Sequence, residues 1–133
     1  MKTDRFARDV LALSVGQEVE WKPKGGVWFS LHTDDPTASG SQSTNEVVYP
    51  GYQRVFVAFD QFGGDIFENL VNVQWPRAAH EMQGEVQAPY IGVGMYGAGD
   101  GYLARIMAAR PVIRIVAHTI PLVEAREIQM TEE

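Results

Sequence analysis

From Val27 onward the apolar residues of this chain recur at every second position in short runs, and glycine and proline cut the runs apart. In Val27–His32 one face carries Val27, Phe29 and Leu31, and the other carries Trp28, Ser30 and His32. Asn69–Trp75 repeats the pattern, setting Val71, Val73 and Trp75 against Leu70, Asn72 and Gln74. A period of two marks a strand with one face on a core. Val55–Phe59, Tyr90–Met95, Leu103–Ala109, Val112–Val116 and Leu122–Met130 bring the total to about seven strands with turn chemistry between them. Pro76, Pro111 and Pro121 separate strands because proline has no N–H to give a ladder. Gly97-Ala-Gly-Asp-Gly101 supplies a hairpin turn, and Gln61–Glu68, around Gly63-Gly64, reads as another. Residues 77–88 are polar and read as a loop. Without β-α-β alternation a parallel sheet is not expected. The expected fold is all-β: one antiparallel β-sandwich, with a jelly roll as one compatible topology. Its core is expected to hold Phe29, Leu31, Val55, Val57, Val71, Val73, Ile91, Val93, Ile106, Ile113 and Ile115.

Ahead of the strands, residues 4–15 read as a helix. Asp4 is placed to cap it, Phe6, Val10 and Leu13 share a face, and Gly16 suits a left-handed terminus. So short a helix needs a partner, either its own domain or a neighbouring subunit. Residues 1–22 are therefore taken as a helix and arm ending near the aromatic anchor Trp21, and 23–133 as the sandwich domain.

The chain's 133 residues suffice for one core, and 45% hydrophobic content argues against disorder. A formal net charge of −6 disfavours binding to a phosphate backbone, so no nucleic acid partner is expected. With no Cys, disulfides, thiolate metal sites and thiol catalysis are excluded. The opening Met-Lys-Thr-Asp-Arg-Phe-Ala-Arg-Asp is too charged for a signal peptide, and no apolar run reaches membrane-spanning length. A soluble protein made without export and without a membrane partner is expected.

No constellation for chemistry stands out. His32, His80 and His118 share no ligand spacing, although His32 and His118 lie on strands that could meet; no metal and no cofactor is expected. His32 is read instead as bonding the loop that follows it. The carboxylates Asp34, Asp35, Asp60, Asp65, Glu68 and Asp100 sit in polar turns, a setting that leaves a carboxyl ionised rather than tuned for acid–base work. Asp34-Asp35-Pro36 is a turn-initiating sequence. Gly97–Gly101 lacks the Lys-Ser/Thr and helix of a phosphate loop, and no serine lies in a nucleophile elbow, so no enzyme activity is expected. Tyr49-Pro50-Gly51-Tyr52 beside a polar loop is the best candidate for sugar stacking. Residues 33–45 carry almost no apolar side chain and read as a long surface loop that contacts another subunit.

Two blocks carry a resemblance: Leu31, His32, Thr33, Asp35 and Pro36, then Glu46, Val47, Gly51, Tyr52, Arg54 and Val55. They resemble the opening of a family of small tailed-bacteriophage virion proteins often labelled tail-fibre-like. Trp75-Pro76, Ile91-Gly92-Val93-Gly94, Gly97–Leu103 and Pro121 continue it over residues 26 to 130, leaving 1–22 outside. The resemblance implies a structural virion protein with no catalytic residues, assembled in the bacterial cytoplasm. Compactness and acidity lead to the further expectation of a capsid decoration, or cement, protein on the capsid exterior. The alternatives are a tail or tail-fibre component and a small carbohydrate-binding module. Expected partners are the major capsid protein and further copies of the chain, as a dimer or trimer. The expected contact residues are Phe6, Val10, Leu13, Trp21, Asp34, Asp35, Pro36, Tyr49 and Tyr52.

Overall fold

The computed structural model describes residues 1–62, 66–69, 71–124 and 127–131. Among these residues one helix, α1 (Asp4–Ser14), precedes nine strands: β1 (Val27–His32), β2 (Val55–Val57), β3 (Phe59–Phe62), β4 (Ile66–Asn69), β5 (Val73–Gln74), β6 (Val86–Gly94), β7 (Leu103–Ile115), β8 (Leu122–Val123) and β9 (Gln129–Thr131). The strands pair antiparallel in sheets of four (β2-β1-β6-β7), three (β3-β4-β9) and two (β5-β8). The all-β sandwich expected from period and turn spacing is the fold observed.

The four-stranded sheet owes its two faces to β1 and β6. Phe29 pairs with Val93 and Leu31 with Ile91, so these four side chains share one face and are at most 3% exposed. Val73 and Trp75 from the β5 segment, Phe59 from β3 and Met130 from β9 close over them. The rings of Phe29 and Phe59 lie 5.7 Å apart, and the Trp75 indole N–H donates to the Phe29 carbonyl at 3.2 Å. On the other face of β6 stand Gly92 and Gly94, opposite Ser30 and Trp28. A Cβ on Gly92 would come within 2.5 Å of His32 Nε2 and 2.6 Å of Ser30 Oγ, and one on Gly94 within 1.9 Å of Gln42 Nε2. The Ile-Gly-Val-Gly run thus sends its apolar side chains to the core and leaves room behind for buried polar ones.

Several elements differ from expectation. Gln61–Glu68 is mostly strand, because β3 and β4 pair directly; its centre, 63–65, lies outside the described residues. Residues 86–88, expected in a loop, begin β6. Pro111 does not end β7, which continues to Ile115; the pairing jumps from Tyr90↔Ala108 to Ala88↔Ile113, and Pro89 and Pro111 fall in that irregularity, where no ladder N–H is needed. The expected strand Asn69–Trp75 is divided between β4 and β5, leaving Val71 65% exposed and out of the core, while Leu70 lies outside the described residues. Leu122–Met130 is likewise two short strands, and its residues 125 and 126 lie outside the description. Of the other expected core residues, Val55 and Ile113 are partly buried and pack against the core, and the remainder are buried.

Helix α1 is capped by Thr3 rather than Asp4: Thr3 Oγ1 accepts from the Phe6 amide and donates to the Leu103 carbonyl at 2.6 Å. Gly16, at φ +80°, follows the helix end as expected. Met1–Thr3 lies along β7 through Thr3 N–H to Ala104 O and Ile106 N–H to Met1 O, each 2.9 Å. The partner of the helix is therefore its own domain. Its apolar stripe is only partly used, since Phe6 and Val10 are half-buried and Leu13 is 64% exposed.

Candidate functional site

The loop 33–45 returns to its starting point. Thr33 N–H donates to the Asn45 carbonyl at 2.8 Å, and His32 bridges Glu46. Asp34 and Asp35 make the expected turn, accepting from the amides of Asp35 and Thr37 at 2.8 Å each. Three groups fasten this loop to the sheet. The His32 ring is fully buried, with Nδ1 2.7 Å from the Thr44 carbonyl and Nε2 2.7 Å from Ser30 Oγ. A carbonyl only accepts, so Nδ1 carries the proton and Nε2 accepts from the serine. Burial lowers the His32 pKa and keeps the ring neutral. Gln42, also fully buried, donates to the Tyr96 carbonyl at 2.9 Å and accepts from the Tyr96 amide at 3.2 Å. Ser41 and Ser43 donate to Asp100, and these bonds hold its carboxyl below the ordinary carboxylate range.

Behind the loop lies an ion pair that sequence reading did not single out. Arg54 Nε and Nη2 meet Glu46 Oε2 and Oε1 at 2.8 and 2.9 Å, with side chains 4% and 14% exposed. Arg54 also reaches the carbonyls of Gly99 at 2.6 Å and Tyr96 at 3.3 Å. Tyr52 donates to Glu46 and accepts from the Leu31 amide. Burial, followed by the Glu46 bond, raises the tyrosine's pKa. Loop, β1 and the glycine-rich turn are thereby joined through a bidentate pair of the stronger kind. Glu46, Tyr52 and Arg54 are among the residues that carry the virion-protein resemblance; their spacing was the available signal for this network.

The expected contact residues fall in three places. Phe6 and Trp21 meet at 5.4 Å, and Trp21 lies 5.1 Å from Tyr102, over whose ring Arg5 sits at 4.3 Å. Tyr102 donates to Asp9 at 2.6 Å, and burial followed by that bond raises its pKa. Trp21 is thus half-buried within the chain, and Val10 and Leu13 lie further along the same helix. Asp34 and Asp35 are presented by the loop, whereas Pro36 is buried beneath it. The Asp4 amide donates to the Ala38 carbonyl at 2.9 Å, so helix start and loop adjoin. Tyr49 and Tyr52 form a ring pair at 5.4 Å directed inward: Tyr49 is 4% exposed and donates to the Pro76 carbonyl, and burial pushes its pKa up to about 12. These tyrosines, the best candidates for sugar stacking, present no open platform: Tyr49 is buried and Tyr52 half-buried. His32 and His118 do not meet; His80 and His118 do.

Residues 6–92, well over half of the chain, match the family model described as Podophage GP4 fiber I protein gp80. The match takes in all but the first two residues of helix α1, which the sequence resemblance left outside, and runs through the loop and the Glu46–Arg54 pair to Gly92. No individual curated protein matches the chain.

Proposed function

This chain belongs to the podophage GP4 fiber I protein gp80 family, a phage tail-fibre-like structural family, and from that premise we propose that it is a non-enzymatic module of the fibre or tail assembly. It works by contact: the loop 33–45, with the adjoining start of α1, docks on another virion subunit or a further copy of the chain. The observation that carries this reading is the clamping of the loop. A polar loop of this length is uncommon in a compact domain unless it serves a function, and here two fully buried side chains and an ion pair hold it rigid. A pre-ordered surface loses little entropy when it docks. The ionisable groups of this region are spent on structural bonds, which supports a role without catalysis.

Capsid decoration, with the major capsid protein as partner, rests on acidity and compactness alone and takes no support from the family. Immunogold labelling of intact particles separates the two. Gold at the tail supports the proposal, and gold spread over the head overturns it in favour of decoration. Substituting Asp34 and Thr37 with Ala in the exposed loop should reduce incorporation into particles; unchanged incorporation would remove the loop from the interface.

A further inference from the structure

The end of the sandwich beside the arm does not close fully. A cavity of about 700 Å³ opens there, and three parts of the fold line it: Phe6 and Trp21 from the arm, Val93 from the four-stranded sheet, and Phe59 and Phe67 from the three-stranded one. Phe67, 45% exposed, stands at the mouth. The arm wall is fixed, because the Trp21 amide donates to Asp9 Oδ2 at 3.1 Å. Protein cores leave few voids larger than a water molecule, and this one is walled by aromatic and aliphatic side chains. Among the described residues that line it, Arg105 alone is charged. Arg105 stands directly across from Val93 in the pairing of β6 with β7, and Val93 across from Phe29 in that of β6 with β1. Partners directly opposite share a face, so the guanidinium issues from the apolar face of the sheet. It sits over the Phe6 ring at 5.4 Å.

We propose that this cavity binds a small amphiphilic acid, an apolar chain or ring carrying one carboxylate. The apolar part lies between the aromatic walls, and the carboxylate meets Arg105. Volume and lining both fit. Small-molecule sites run to about 300–1,000 Å³ and are mostly apolar, with a few polar groups that fix orientation. An apolar cavity holds water poorly and takes up apolar molecules instead. A cation on an apolar face is costly unless it meets an opposite charge, which selects an anion over a neutral or cationic guest. A guanidinium has five N–H donors in a planar fork, so it can receive a carboxylate in addition to the contacts it already makes. No carboxylate among the described lining residues competes for it. The cavity shares no described lining residue with the loop 33–45, so it is open to a guest independently of the docking proposed for that loop.

The test is a calorimetric titration of the full chain with sodium decanoate below its micelle concentration, with decyltrimethylammonium bromide as the cationic control. Decanoate should bind about tenfold more tightly, and Arg105→Met should remove that margin. Trp21 lines the cavity whereas Trp28 and Trp75 do not. Decanoate brominated at its far end should therefore quench the fluorescence of the native chain, and quench it much less in Trp21→Phe. Phe67→Asp, a change at an exposed position, sets a carboxylate at the mouth and should weaken decanoate about tenfold. No decanoate binding at millimolar concentration would overturn the proposal and leave the cavity to an apolar side chain of a neighbouring subunit. Equal affinity for acid and cation, decanoate affinity unchanged in Phe67→Asp, or quenching unchanged in Trp21→Phe would each overturn it as well. Thermal melts of the variants without ligand separate loss of fold from loss of binding, and quenching of the native chain reads the site even if Arg105→Met does not fold.

Discussion

At the level of single residues, the decisive groups are polar ones placed where apolar ones are the rule. Arg54→Ala would strand the Glu46 carboxylate in a nearly dry site, and breaking a buried pair in this way costs about 3–5 kcal/mol. Urea denaturation should show it, and the double replacement Arg54→Met with Glu46→Leu should recover much of the loss. His32 gives a pH dependence. Its folded pKa lies below the ordinary 6.5, so between the two values the unfolded chain takes up a proton that the folded chain refuses. Stability from the neutral ring is complete above about pH 6.5 and drains away as pH falls towards the lowered value. Urea midpoints at pH 7.5 and 5.5 should differ, and by less in His32→Asn. Gly92→Ala should cost about 1–3 kcal/mol, as overpacking does, because its Cβ would press on His32 and Ser30. His32 was legible as a group bonding the following loop, because a strand-end histidine before a polar run has few other partners. Val71 was misread because a period of two does not tell where one strand stops: the side chain belongs to the connection after β4, where the alternation persists but the sheet does not.

At the level of elements, loop and arm behave differently from the way their composition reads. The loop is polar yet rooted by Gln42, a residue with no marking in the sequence. Gln42→Ala would leave the Tyr96 amide and carbonyl without their partners at a cost of about 1–3 kcal/mol each. Thermal unfolding should report the loss, and amide exchange should show the turn 95–101 opening first. Taking residues 1–22 as an arm and 23–133 as the sandwich implies a domain that folds without the arm. The structure argues for the opposite outcome. Residues 1–16 cover the edge of β7 and pack with Tyr102, so their deletion should lower the melting temperature markedly and expose an unpaired strand edge to aggregation. A truncated chain that melts like the full one would show that the sandwich closes without it. Strand β1 was read with its observed bounds because Gly26 and the loop after His32 delimit it. Strand β7 was not, because proline is a reliable break only where the ladder is regular.

At the level of the whole molecule, fold class was legible and pairing was not. Alternation with turn residues predicts strands, but β1 lies between β2 and β6, and that choice is made by which faces complete a core. Phe29 stands at the centre of it, fully buried between Val93 and Phe59; Phe29→Ala should cost about 3–5 kcal/mol, measurable as a fall in the urea midpoint. The way Met1–Thr3 lies on β7 also has a mechanical side. Tension applied to the first residues meets the bonds of Met1 and Thr3 to Leu103, Ala104 and Ile106 and then the contacts of α1 with the loop and Tyr102, whereas β6 and β7 are bound along most of their length. Drawn out at about 3.3–3.6 Å per residue, the arm's 22 residues would span roughly 75 Å, and a pull on this end would bare the edge of β7 as it lengthened the chain, so load on the first residues and stability of the sheet are coupled.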